Sequence, residues 1–362
     1  MTYTDGSATS LVTDKDWLTA DGPTTFDSVY PGEKYDARRA EELGDWRSAG
    51  QCTGRDWSPA TVLIPPGSCS GPSPEYHGAL PATTIPDGFR PATVRAHEAE
   101  PVLVNQILRP ISLTETAPGS GVWVLDYGQI MTGLARLSLT GVRSDKEGLT
   151  LRVRGGNRIS GGDGTAASPF SVEEENFQHD ANLQTHYYTL GRRSTQTWEQ
   201  QFSHFGFRCL EVMNLEAVLG RTPDLNRDAD VLTVGVARSG FARTGTFTTD
   251  NALNRLQRNL EWAEQNNLVQ KPTDTPSREK NGWTGDAMAS SESESLTWDV
   301  NAVLTSYLRH FPDTQISTGQ LPMFVPIAKG GYGYDHPPRL ERGRTTATAA
   351  SSPSCTTTRT RS

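Results

Sequence analysis

In Leu149-Thr-Leu-Arg-Val-Arg154 apolar side chains alternate strictly with polar ones. A period of two puts Leu149, Leu151 and Val153 on one face of a strand and Thr150 and the arginines on the other, so one face is buried and the other wet. The same period governs Ala135, Leu137 and Leu139, which alternate with Arg136, Ser138 and Thr140. Residues 106–225 therefore read as a β-sandwich. The stretch from Gly155 to Ser168 reads as a Gly/Ser loop, without the G-x-x-x-x-G-K-[ST] string of a phosphate cradle. Upstream, residues 1–105 carry short apolar runs, Ala60-Thr-Val-Leu-Ile64 and Val102-Leu-Val104, cut by Pro65-Pro66 and Gly71-Pro-Ser-Pro74. Short strands between turns predict another β-sandwich there.

The period changes near residue 248. Thr248, Thr249 or Asp250 can cap a helix with apolar positions Leu253, Leu256, Leu260 and Ala263. A second helical pattern covers Val300, Val303, Leu304, Tyr307, Leu308 and Phe311, with Pro312 as its stop. Between them, residues 270–286 are polar and broken by Pro and Gly, so they read as a loop. From about Pro337 to Ser362, Arg, Thr, Ser and Ala dominate and apolar periodicity ends, which predicts a disordered tail.

Composition sets outer bounds. The 34 Gly and 23 Pro residues among 362 fit a loop-rich β protein better than a helical bundle. A net charge of -8 with no basic run before the C-terminus argues against a nucleic-acid partner. No stretch reaches the roughly 18 apolar residues of a membrane span. The opening Met1-Thr-Tyr-Thr-Asp-Gly6 has neither a basic nor an apolar signal region, so a cytoplasmic location is expected, with secretion of a longer parent left open. Cys52, Cys69, Cys209 and Cys355 show no C-x-x-C spacing, so neither zinc nor any other cofactor is expected. Free thiols are the preferred reading, with a Cys52–Cys69 bridge as the alternative in an exported protein.

The loop Asp274-Thr-Pro-Ser-Arg278-Glu279-Lys-Asn-Gly-Trp283-Thr-Gly-Asp286 gathers three carboxylates around an arginine and a tryptophan. Composition alone reads this first as a solvated acidic loop balanced by Arg278 and Lys280. Sugar hydrolysis, however, needs these parts. A carboxylic acid with a raised pKa must protonate the departing oxygen. Other carboxylates can grip sugar hydroxyls, and an indole can pack on the ring.

The order of residues in this loop closely resembles the α-L-rhamnosidase family, glycoside hydrolase family 78. The likeness extends to Tyr3-Thr-Asp-Gly6, Thr13-Asp-Lys-Asp-Trp17, Val29-Tyr-Pro-Gly-Glu-Lys-Tyr-Asp-Ala-Arg38 and Asp56-Trp-Ser-Pro-Ala60. It continues through Leu125-Asp-Tyr-Gly-Gln-Ile-Met-Thr-Gly133, Phe202-Ser-His-Phe-Gly-Phe-Arg208, Asp313-Thr-Gln315 and Gly319-Gln-Leu-Pro322. The resemblance implies two β-sandwich domains, over 1–105 and 106–225, followed over 226–336 by the first helices of an (α/α)₆ barrel.

The resemblance also implies roles. Glu279 matches the general acid, Asp274, Arg278 and Asp286 match residues that bind the sugar and tune that acid, and Trp283 matches an aromatic of the pocket. The reaction inverts the anomeric centre, so a second carboxylate must activate water, and the family's base lies beyond the end of this chain. Glu292 and Glu294 carry no matching motif and read as a solvated helix face. Partners are rhamnose-containing glycosides; the alternative is a carbohydrate-binding chain without turnover. The first module binds rhamnose through calcium in some relatives. Pro31 departs from that pattern, so Glu33 and Asp36 read as holding a turn, and no metal is assigned. His204 reads as a packed histidine, since no H-E-x-x-H occurs. Helices lacking the rest of a barrel would leave apolar faces bare, so association or weak protection from residue 248 onward is expected. The resemblance further suggests truncation at both ends, with Pro337-Pro-Arg-Leu-Glu-Arg-Gly343 marking a change of reading frame.

Overall fold

One long strand, Val122–Leu139, organises the molecule. The computed structural model describes residues 3–9, 16–45, 57–61, 96–161, 165, 167–168, 171–173, 184–315, 319 and 321–326. Cys52, Cys69, Cys355 and the C-terminal tail lie outside them.

The N-terminal strands are Leu18–Thr19 (β1), Thr24–Ser28 (β2), Gly32–Asp36 (β3) and Ser58–Pro59 (β4), with helix Ala37–Leu43 (α1) after β3. Then come Val102–Leu108 (β5), Ser112–Glu115 (β6), the long Val122–Leu139 (β7), Thr150–Gly156 (β8), Arg158–Ser160 (β9) and Ser171–Glu173 (β10). Thr185–Thr189 (β11), Gln196–Glu199 (β12) and Phe205–Met213 (β13) follow. Two short helices, Leu215–Leu219 (α2) and Leu225–Asp228 (α3), precede Leu232–Ser239 (β14).

Ten of these strands form one sheet in the order β2-β3-β11-β8-β13-β7-β14-β5, with β6 and β12 also paired to β7. Strands from the first hundred residues thus share a sheet with those that follow: β3 pairs in parallel with β11, Tyr35 opposite Tyr188. The β7 strand holds β13 along most of its length and β14 across residues 133–137. Gly133 sits where those pairings overlap. A Cβ there would lie 2.5 Å from Val234 Cγ1, so only glycine admits this approach.

The alternating period of two is reproduced. Leu151, Val153, Ala135, Leu137 and Leu139 are all buried in the main core, with Met131, Phe205 and Phe207 fully enclosed. Burying this apolar area supplies the main driving force for the sheet to fold, at roughly 25 cal/mol per Å² removed from water. The expected Gly155–Ser168 loop is shorter than predicted. β8 runs on through Gly156, and β9 pairs antiparallel with β10.

Beyond the sheet lie helix Asn251–Asn267 (α4), the hairpin Leu268–Val269 (β15) and Lys271–Pro272 (β16), and helices Thr284–Thr297 (α5) and Asn301–Thr314 (α6). Asp250 caps α4 by accepting from Leu253 N at 3.0 Å. Its leucines face water: Leu253, Leu256 and Leu260 are exposed, and the polar stripe of Glu261, Glu264 and Asn266 is buried instead. Partners explain this choice. Asn266 Oδ1 accepts from Thr132 N at 2.8 Å, and Glu261 forms two bonds with Arg243, at 2.6 and 2.8 Å. Pro312 does not stop α6, which continues to Thr314. Among the described residues no helix is long and apolar enough to cross a membrane.

Candidate active site

The hairpin β15–β16 delivers the chain to Asp274. Asp274 and Asn281 close the loop by two bonds: Asp274 N donates to Asn281 O at 3.0 Å, and Asn281 N donates to Asp274 Oδ1 at 2.9 Å. Thr275 and Arg278 close a smaller turn inside it, as Thr275 Oγ1 donates to Arg278 O at 3.2 Å and accepts from Arg278 N at 3.3 Å. This is the local bonding that hydroxyl side chains offer a turn. Pro276 and Ser277 then press on β13, where a Cβ on Gly206 would lie 2.7 Å from Pro276 Cγ and from Ser277 N.

The turn leaves Glu279 exposed, at the mouth of the loop. Its Oε2 accepts from the Trp283 indole N–H at 3.1 Å. Burial, reinforced by the neighbouring Glu279 carboxyl, pushes Asp274 up to about 6. A carboxyl that holds a proton near neutrality can give it to an oxygen placed beside it. Trp283 rests edge-on against Phe324, 5.1 Å between ring centroids, and caps the start of α5.

The two remaining predicted residues stand differently. Arg278 is half-buried within the turn. Asp286 is exposed in the first turn of α5, so the expected loop ends at Trp283. A carboxylate near a helix N-terminus is favourably placed. Tyr307 is pushed up to about 12, first by burial and then by Asp286, and donates to Gly282 O at 2.8 Å. The structure thus bonds Trp283 to Glu279, with Asp274 as a neighbour, and brings the Asp286 charge near Tyr307.

Other residues surround the loop, and of these Tyr30 and Lys271 were given no role by the sequence. Tyr30 donates its hydroxyl to Glu279 O at 2.9 Å, and burial with the two carboxylates raises its pKa. The buried Lys280 ammonium donates to Val29 O and His204 O, each at 2.6 Å. Burial of Lys271 lowers its pKa. His204 is packed, as expected, and is pushed down to about 3 by burial with Lys280 and Lys271 close by. Tyr30 and His204 both lie in stretches singled out by resemblance, but only the fold brings them to this loop.

The carboxylates expected to be idle are engaged elsewhere. Glu33 is buried, and its Oε1 accepts from Gln201 N at 2.9 Å and Phe202 N at 2.7 Å. Asp36 caps α1 through Arg38 N at 3.0 Å. Glu292 is exposed on α5, but Glu294 is buried, against expectation, and burial, with the Glu264 charge of α4 nearby, raises its pKa. Among the described residues no three metal-ligating side chains converge. A recess of about 610 Å³ lies on the sheet by Tyr35, Arg136, Trp198 and Glu199, apart from this loop.

Comparison with known proteins gives the geometry a family. Residues 1–77 match the alpha-L-rhamnosidase N-terminal domain and residues 116–231 the bacterial alpha-L-rhamnosidase concanavalin-like domain. Residues 242–338 match the bacterial alpha-L-rhamnosidase 6 hairpin glycosidase domain. An alpha-L-rhamnosidase of Streptomyces avermitilis is 30% identical over 91% of this chain and 28% of its own length. Another, from Formosa agariphila, is 27% identical over 90% of this chain and 30% of its own. The structure of the Streptomyces avermitilis alpha-L-rhamnosidase complexed with L-rhamnose aligns at a TM-score of 0.72 with 28% identity, covering 91% of this chain and 28% of that one. The chain spans about 30% of the length of the curated relatives it matches. Three successive regions of the chain, matched in order, make it similar over most of its length to the α-L-rhamnosidase family.

Proposed function

We propose that this chain carries the acid side of a site that hydrolyses terminal α-L-rhamnosides with inversion. Glu279 delivers the proton to the departing oxygen, Asp274 shares and tunes that proton, and Trp283 fixes Glu279 while presenting its ring to the sugar. Arg278 and Asp286 bind sugar hydroxyls at the loop's two ends. The observation that carries the reading is the Trp283 indole bond to Glu279 beside an Asp274 carboxyl raised to about 6. The names of its relatives supply the substrate class. In this reading residues 1–105 and 106–225 are the two β-modules, and α4, α5 and α6 begin an (α/α)₆ barrel.

An inverting reaction places its two carboxyls about 6.5–9.5 Å apart so that water fits between them. Asp274, whose carboxyl is raised in part by Glu279 beside it, is read as the partner of the acid and not as the water-activating base. That assignment leaves the base unassigned and favours a second reading for the chain taken alone: rhamnose binding without turnover. Hydrolysis of p-nitrophenyl α-L-rhamnoside separates the two. Turnover that falls by about 10²-fold or more in Glu279→Gln supports the acid role. Turnover equal in the variant and the parent refutes it, and binding without turnover selects the second reading.

A further inference from the structure

Three stretches far apart in the sequence meet at the side chain of Lys280. Its ammonium donates to Val29 O and His204 O and lies 5.3 Å from the centroid of the Phe205 ring. The residue is 6% exposed. Carbonyl dipoles and an aromatic face stand in for the water this ammonium has lost. Its own carbonyl accepts from Lys271 Nζ at 3.1 Å.

The backbone at this point is unusual. Glu279 and Lys280 have φ of 32° and 55°, in the left-handed region that residues with a Cβ avoid. Such a turn persists only where its surroundings hold it. Here the grip comes from both sides of one dipeptide. Val29 receives the Lys280 ammonium, and Tyr30 donates its hydroxyl to the Glu279 carbonyl.

We propose that Lys280 is the positioning residue of Glu279: clamped between Val29 and His204, its side chain holds the left-handed turn that aims the Glu279 carboxyl at Asp274 and Trp283. The N-terminal hairpin of β2 and β3 is then a structural part of the acid site. The consequence for sugar binding rests on the function proposed above, whereas the aim of the carboxyl does not.

The test uses the full chain. Lys280→Met keeps the length of the side chain and removes the cation, and Lys280→Arg keeps a cation that is too broad for the same cage. Carboxyl ¹³C shifts of Asp274 and Glu279 are followed from about pH 3 to about pH 8, together with the Trp283 indole N–H resonance. Calorimetry with L-rhamnose runs in parallel. In folded Lys280→Met the Asp274 carboxyl should titrate below the parent's value of about 6, the indole resonance should move to its solvent position, and rhamnose affinity should fall about tenfold. Lys280→Arg should shift the same resonances by less, and it decides the matter if the methionine variant does not fold. A folded variant with the parent's Asp274 titration and indole resonance overturns the proposal. Failure of the parent to bind L-rhamnose would instead refute the functional reading, leaving the titrations to judge the role of Lys280.

Discussion

Trp283 donates its indole N–H to Oε2 of Glu279 at 3.1 Å, in the loop that Asp274 closes by its bonds to Asn281. A tryptophan that only filled space would not need that donor. Trp283→Phe keeps a ring against Phe324 but removes the N–H. A hydrogen bond contributes about 0.5–1.5 kcal/mol, so rhamnose affinity should fall about two- to tenfold, as read by calorimetry. Unchanged affinity would reduce Trp283 to a packing role.

The Asp274 carboxyl gives the site a pH signature. It is raised, chiefly by burial, from 3.8 to about 6. A carboxyl raised on folding favours the native state while protonated, and that contribution is lost as pH rises from 3.8 through about 6. Thermal melts across that window should show stability declining with pH in the parent. Asp274→Asn should flatten the decline. An identical slope in both would mean that Asp274 does not hold the proton.

Gly206 tests whether the loop needs its seat on β13. An added Cβ would sit 2.7 Å from Pro276 Cγ and Ser277 N, and backbone cannot swing aside as a flexible side chain can. Gly206→Ala should lower stability by about 1–3 kcal/mol, measured by chemical denaturation. It should also disturb the Asp274–Glu279 titration. A neutral substitution would show that the loop is free to lift.

The β framework was legible in the sequence because one face of each strand is wet. Ala135, Leu137, Leu139, Leu151 and Val153 therefore write a period of two that burial reproduces. The α4 helix was legible in extent, through its Asp250 cap, but not in orientation. Its leucines suggested a buried face, yet the sheet offers Thr132 N and the segment after β14 offers Arg243, which demand Asn266 and Glu261. The order of residues named the candidate loop and its Asp274, Glu279 and Trp283. It could not disclose Tyr30 or Lys280, whose roles come from contacts some 250 positions apart along the chain. Glu294 misled for a similar reason: charge pattern reports a helix's polarity, not which side a neighbouring helix covers.

The displaced leucines have a consequence in solution. Leu253, Leu256 and Leu260 are 45%, 53% and 44% exposed along one side of α4. A continuous apolar stripe of this kind promotes association. Leu256→Glu with Leu260→Glu should shift sedimentation toward monomer without lowering the melting temperature. Equal sedimentation of parent and variant would show that the stripe is not an association surface.

The most direct test maps L-rhamnose onto the folded chain by ¹H–¹⁵N NMR, following the eight tryptophan indole resonances as the sugar is added. The Trp283 indole and the backbone amides of 274–286 should move together and saturate, and Asp274→Asn should weaken the response. Saturable shifts confined to other tryptophans, with the 274–286 amides still, would contradict the assignment of this loop as the sugar site.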